Sequence, residues 1–114
     1  MKEYLLLLRG GKPVTSKTEQ EVKSEMQAWG AYMGGLSQSG QLVGGLPLVG
    51  GGKTVSAAGT INEAVTSAAE GIVGGYLIIK ADSLDAAAAI AKSCPHIAGE
   101  GNIEVREIAP IPAM

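Results

Sequence analysis

The chain has 114 residues, 46% hydrophobic but only 4% aromatic, with 17 glycines, one Trp, one Cys, one His and a formal net charge of −2. That length supports one hydrophobic core and so a single domain over residues 1–114. A slightly acidic balance excludes functions that depend on neutralising phosphates, so no nucleic-acid partner is expected, and a lone cysteine excludes an internal disulfide framework.

Residues 4–8 are apolar at every position and are closed by Arg9, Gly10 and Gly11. A run this short between breakers predicts a strand, and its lack of alternation predicts that both faces are covered. It is too short for a secretory signal, and no later run nears membrane-spanning length. A cytoplasmic protein with no membrane partner is therefore expected. Thr18, Glu19, Gln20 and Glu21 form a capping-box pattern, in which the hydroxyl and the carboxylate each satisfy one free amide. Val22, Met26, Trp29, Met33 and Leu36 then recur at helical spacing and predict one buried stripe. Gly30, Gly34 and Gly35 weaken this helix by about 1 kcal/mol each relative to alanine, which predicts another backbone packed closely there. Gly40 fits the position just past the helix end.

Residues 41–48 predict a strand that Gly44, Gly45 and Pro47 restrict to a sheet edge or a bulge. Small polar residues dominate from 50 to 70. Residues 53–56 and 61–66 can form a hairpin around Gly59, or the stretch can run as a loop excursion. Residues 76–79 are the second run that is apolar on both faces. Ser83 or Asp82 caps the helix that follows, and Leu84, Ala87, Ala91 and Cys94 form a small-residue stripe ended by Pro95. Residues 103–106 alternate as a half-exposed edge strand should, and prolines stop the tail.

The order is strand, helix, strand with an inserted hairpin, strand, helix, strand. It predicts an α+β fold, ferredoxin-like βαββαβ, with the first and third main strands as the central pair. Two helices can cover only one face of a four-stranded sheet. The other apolar face would leave a large exposed patch, so a homodimer closed sheet to sheet about a two-fold axis is expected.

YLLLLRG, AWGAYMGGL followed by SGQLVGGLPL, GGYLIIKADSLDAA, CPH and IEVREI, in that order, resemble the YCII-related proteins of the DGPF-domain branch. The resemblance implies a small dimeric α/β barrel, similar in fold to muconolactone isomerase and related oxygenases, with a pocket between sheet and helices. Two departures bear on activity. The Asp-Gly-Pro-Phe motif would fall on Glu63, Ala64, Val65 and Thr66, so it is absent. The histidine and aspartate proposed as an acid–base pair near the founding member would fall on Trp29 and Cys94, so neither role transfers.

His96 is the one side chain whose ordinary pKa lies near neutrality, which makes it the candidate catalytic acid or base. It would need a pocket and a carboxylate such as Glu70, Glu100 or Glu104; the plainer reading is a surface histidine in a turn after Pro95. Cys94 reads as a small buried hydrophobe at a helix carboxyl end, where the dipole opposes a thiolate. Met26, Trp29 and Met33 are core by spacing, while Trp29, Met33 and Tyr76 are also the candidate lining of a ligand pocket. Arg9, at a strand end, is a candidate anion contact or simply solvated. LPLVGGGKT has Pro47 where a phosphate loop needs its first glycine, no dinucleotide fingerprint occurs, and one histidine with one cysteine cannot build a usual zinc site. Neither cofactor nor metal is expected. Two functions stay open: a dimer that binds a small organic molecule, and a small-molecule enzyme of isomerase or oxygenase type using His96.

Overall fold

The computed structural model describes residues 1–11, 17–49, 51–61 and 72–111. In chain order the elements are β1 (Lys2–Gly10), α1 (Glu19–Gln38), β2 (Leu42–Pro47), β3 (Thr54–Ser56), β4 (Gly59–Ile61), β5 (Val73–Ala81), α2 (Leu84–Lys92), α3 (Pro95–Ala98) and β6 (Gly101–Glu107). Strands β2, β5, β1 and β6 form one antiparallel sheet in that order, and β3 pairs with β4 in a separate hairpin. This is the ferredoxin-like arrangement, with β1 and β5 at the centre and β2 and β6 on the edges.

Period-two alternation divides the central strands. Tyr4, Leu6 and Leu8 of β1 and Leu77, Ile79 and Ala81 of β5 are buried with Leu36, Ala87 and Ala91 from the helices. Leu5, Leu7, Tyr76 and Ile78 alternate with them on the opposite face and are only half-buried. Both runs are therefore apolar on two sides while the helices cover one.

The helix ends follow local chemistry. Thr18 Oγ1 accepts from the Glu21 amide at 3.1 Å and the Glu21 carboxylate accepts from the Thr18 amide at 3.4 Å, completing the capping box. At the other end Gly40 takes a φ of +76°, and the Gln41 amide reaches back to the Leu36 carbonyl at 2.9 Å. That left-handed turn suits glycine because no Cβ opposes it. Ser83, not Asp82, caps α2 by accepting from the Ala86 amide at 3.0 Å. The edge strand β2 is irregular as its glycines imply: its register against β5 shifts between Leu42 and Gly44, and Pro47 is its last residue.

Four expectations are corrected. The hairpin turns at Ala57 and Ala58, and Gly59 opens its second strand opposite Ser56; residues 62–66 lie outside those described. The Ser56 hydroxyl favours this tighter turn by accepting from the Ala58 amide and donating to the Gly59 carbonyl, both at 3.3 Å. Leu84 is 51% exposed, because it is the first residue of α2, ahead of the small residues at which helix and sheet meet. Among the described residues no other backbone packs against Gly30, Gly34 or Gly35, where an added Cβ would meet nothing within 4 Å, and no contact there explains these glycines. Pro95 does not simply stop a helix. It occupies the first turn of α3, a position where its missing N–H costs nothing.

Candidate functional site

The row of side chains that the sheet presents to the helices changes along its length. Towards one end it is Tyr4, Leu6, Ile79 and Ala81, all buried. Towards the other, the row continues on β5 as Gly75 and on β2 as Gly45, which lies opposite Leu77. Gly45 is required there by a close strand approach, since a Cβ would come 2.5 Å from the Tyr76 carbonyl oxygen. With no side chains at Gly45 and Gly75 to fill it, the space under the middle of α1 is a slot of about 570 Å³. Leu8, Leu77, Gly75 and Gly45 contribute to its floor and Met26, Trp29 and Met33 to its roof. Lys17, Glu25, His96 and Gly99 close one end. This is why Met26, predicted in the core, is 69% exposed: its turn of α1 lies over a cavity and not over packed side chains.

His96 is brought to the slot by α3. Cys94 leaves α2 in an extended conformation (φ −68°, ψ 137°), Pro95 starts a new turn, and His96 follows within it. The ring is half-buried, and its Nε2 lies 2.8 Å from the Arg9 carbonyl oxygen. A carbonyl can only accept, so Nε2 carries a proton, and in the neutral imidazole it is Nδ1 that keeps the lone pair. Two glycines make room for the ring. A Cβ at Gly101 would overlap it, and one at Gly11, whose φ is +97°, would come 3.1 Å from Cε1. His96 thus sits in a single helical turn after Pro95, half-buried and not fully in solvent.

The carboxylate partner expected for His96 is not found among the described residues. Glu104 instead accepts from Arg9 Nε at 3.3 Å and Arg106 Nη1 at 3.2 Å, and Glu70 lies outside the described residues. Arg9 is not among the described residues that line the slot. Its guanidinium serves Glu104 on β6, while its main-chain oxygen orients His96. Trp29 and Met33 do line the slot, with Trp29 edge-on to Tyr32 at a ring separation of 6.0 Å. Tyr76 borders the slot from a strand position that alternates with Leu77 and lies opposite Leu7.

Sequence reasoning missed Lys17 and Glu25. Lys17 Nζ donates to both Glu25 oxygens at 2.8 Å, and the lysine side chain is only 13% exposed. The two stand eight residues apart across a helix start, a spacing that no pairing rule flags. The available signal was a lysine just before the cap and a glutamate near two turns into the helix. Together with Gly99 they also border a broader groove of about 1080 Å³ between α1 and the α2–α3 corner.

Cys94 is nearly inaccessible, and burial pushes its thiol up, partly offset by hydrogen bonding with the His96 backbone and the Tyr32 side chain. It is the buried small group expected, with burial and not a helix dipole as the main cause. Burial first, and then Cys94, likewise holds the Tyr32 hydroxyl far above the usual phenol range, and that hydroxyl donates to the Ile90 carbonyl at 2.8 Å.

A four-stranded antiparallel sheet with helices on one side and a cavity between the layers defines a small α+β barrel-type domain. The chain belongs to the YCII-related domain family, which matches residues 3–112. Among solved structures it is similar to the 5-chloro-2-hydroxyhydroquinone dehydrochlorinase of Burkholderia phenoliruptrix AC1100 in complex with 2,5-dihydroxybenzoquinone. The TM-score is 0.57 at 18% identity, over 94% of this chain and 93% of that one, a likeness of fold. No curated protein matches the chain.

Proposed function

We propose that the protein is a homodimer that binds a small organic molecule in the slot beneath α1. One observation carries this reading: Trp29 and Met33 from α1, Leu77 from β5 and His96 from α3 converge on a single cavity of about 570 Å³. That volume suits a small ligand, and an apolar lining with a few polar groups at one end is the usual composition of such sites. Segment order sets the chain beside the DGPF-domain branch of its family, and its one buried free thiol suits a reducing cytoplasm. Leu5, Leu7, Tyr76 and Ile78, half-buried on the open side of the sheet, are the surface a second copy would cover. Trp29 is the only tryptophan, so its fluorescence reports occupancy directly. Saturable quenching by aromatic probes in wild type, lost when Gly75→Val fills the slot, is the expected result. Quenching that survives that substitution removes the slot as the site. A monomeric mass by light scattering at micromolar concentration removes the dimer.

A specific geometry favours a catalytic form of the same reading. With Nε2–H held by the Arg9 carbonyl, His96 has Nδ1 as a proton acceptor at the polar end of the slot. The dehydrochlorinase that shares the fold acts, by its name, on a chlorinated hydroxyhydroquinone, a substrate with ionisable hydroxyls. Turnover of a compound of that class that falls at least a hundredfold in His96→Gln, with binding retained, would support acid–base chemistry, since general-base groups contribute about 10²–10⁴-fold. Equal turnover by wild type and variant would leave a binding protein.

A further inference from the structure

We infer that Lys17 is a binding residue of the slot and that the ligand it selects is a neutral molecule with an acidic hydroxyl, a phenol or enol on an apolar frame. The inference rests on the slot being the binding site. Lys17 lies outside any helix or strand, yet its side chain is only 13% exposed. An ammonium carries three donors. Glu25 accepts two of them, at 2.8 Å each, and the third has no partner among the described residues. Stability alone is a poor account of such a pair, because partly exposed ion pairs contribute little net. Its place in the cavity is a better one. Glu25 Oε1 lies against the α3 backbone, where a Cβ on Gly99 would come 3.1 Å from it, three residues after His96. Lys17, Glu25 and His96 therefore form one polar end wall, and the other lining residues are leucine, methionine, tryptophan, tyrosine, proline and glycine.

The charges of that wall choose the ligand. Lys17 and Glu25 cancel, so a dianion such as a phosphoester finds one already-paired cation and a neighbouring carboxylate. A neutral hydroxyl fits without residue. Its O–H bond breaks, the proton forms an N–H bond at His96 Nδ1, and the electron pair stays on the ligand oxygen beside Lys17. The contents of the slot sum to the same charge before and after. A charge-assisted hydrogen bond from Lys17 to that oxygen is stronger in an apolar cavity than in water.

The test uses 4-nitrophenol, whose colour reports ionisation, and nitrobenzene, which has nearly the same shape and no acidic proton. Wild type is expected to quench Trp29 with both and to lower the apparent pKa of bound nitrophenol by about one unit, a tenfold shift. Lys17→Met should abolish that shift and weaken nitrophenol about tenfold while leaving nitrobenzene unchanged. Lys17→Arg should retain the shift. Glu25→Gln, which frees the ammonium, should enlarge it, and this variant decides the matter if Lys17→Met does not fold. Equal weakening of both probes in Lys17→Met, or an unshifted nitrophenol in either wild type or Glu25→Gln, overturns the role of Lys17 but leaves the slot as a site. Failure of nitrobenzene to quench wild-type Trp29 overturns both.

Discussion

The two ends of the layer between sheet and helices are built from the same strands and differ in one respect. At the α2 end Tyr4, Leu6, Ile79 and Ala81 meet Ala87 and Ala91, and small residues let the helix sit low on the sheet. Under the middle of α1 the rows continue as Gly75 and Gly45, which carry no side chains, and a slot remains. The filled end supplies burial, each large side chain contributing about 1.5–3 kcal/mol on removal from water. The hollow end supplies a place for a ligand and little cohesion. Stability and recognition are thus set at separate positions along one strand, Ile79 and Gly75 of β5 being four residues apart.

If the two ends act independently, substitutions should separate the two properties. Ile79→Ala, at a fully buried position, should cost about 2–5 kcal/mol in urea unfolding while leaving probe affinity in the slot unchanged. An affinity loss that scales with it would mean that the core and the slot are one unit. Raising the pH should come next. Cys94 and Tyr32 are both held above their ordinary values, so below about pH 8.5 folded and unfolded chains keep the same protons. Above that range the unfolded chain releases protons that the folded one retains, and stability falls as pH rises. The thermal midpoint of wild type should drop on the alkaline side, and Tyr32→Phe should drop less. At neutral pH the same variant should cost about 1 kcal/mol for the lost bond to the Ile90 carbonyl. Gly75→Val should move stability least, by less than about 1 kcal/mol. A Cβ there meets the Leu46 oxygen at 3.3 Å and Pro47 Cα at 3.4 Å, contacts that a shift of a few tenths of an ångström in the edge strand relieves, and a β-branched residue suits a strand. Its effect on binding should nonetheless be complete, which calorimetric titration of the probes would show.

What was legible in the sequence was local. The capping box at Thr18 and Glu21, the glycine closure at Gly40, the Ser83 cap and the two doubly apolar runs are read from a few adjacent residues, and each stands where expected. The misplaced residues share a cause. A helical stripe says which face turns inward and not whether anything lies beneath it, so Met26 was assigned to a core that Gly45 and Gly75 had emptied from two other strands. Trp29, Met33 and His96 line the same slot, but the wall that makes it polar is not legible in the sequence. Lys17 and Glu25 meet across a helix start, and His96 finds its partner 87 residues away.

That partner is a peptide oxygen. Whatever side chain evolution or an engineer installs at position 9, the group that fixes the imidazole tautomer is chemically unchanged, provided β1 keeps its path. The constraint on His96 instead falls on residues that make no bond to it. Position 101 can carry no side chain while the ring stays in place, and position 11 has a backbone that other residues rarely adopt. Redesign of the slot should therefore hold Gly101 and Gly11 as firmly as the histidine itself.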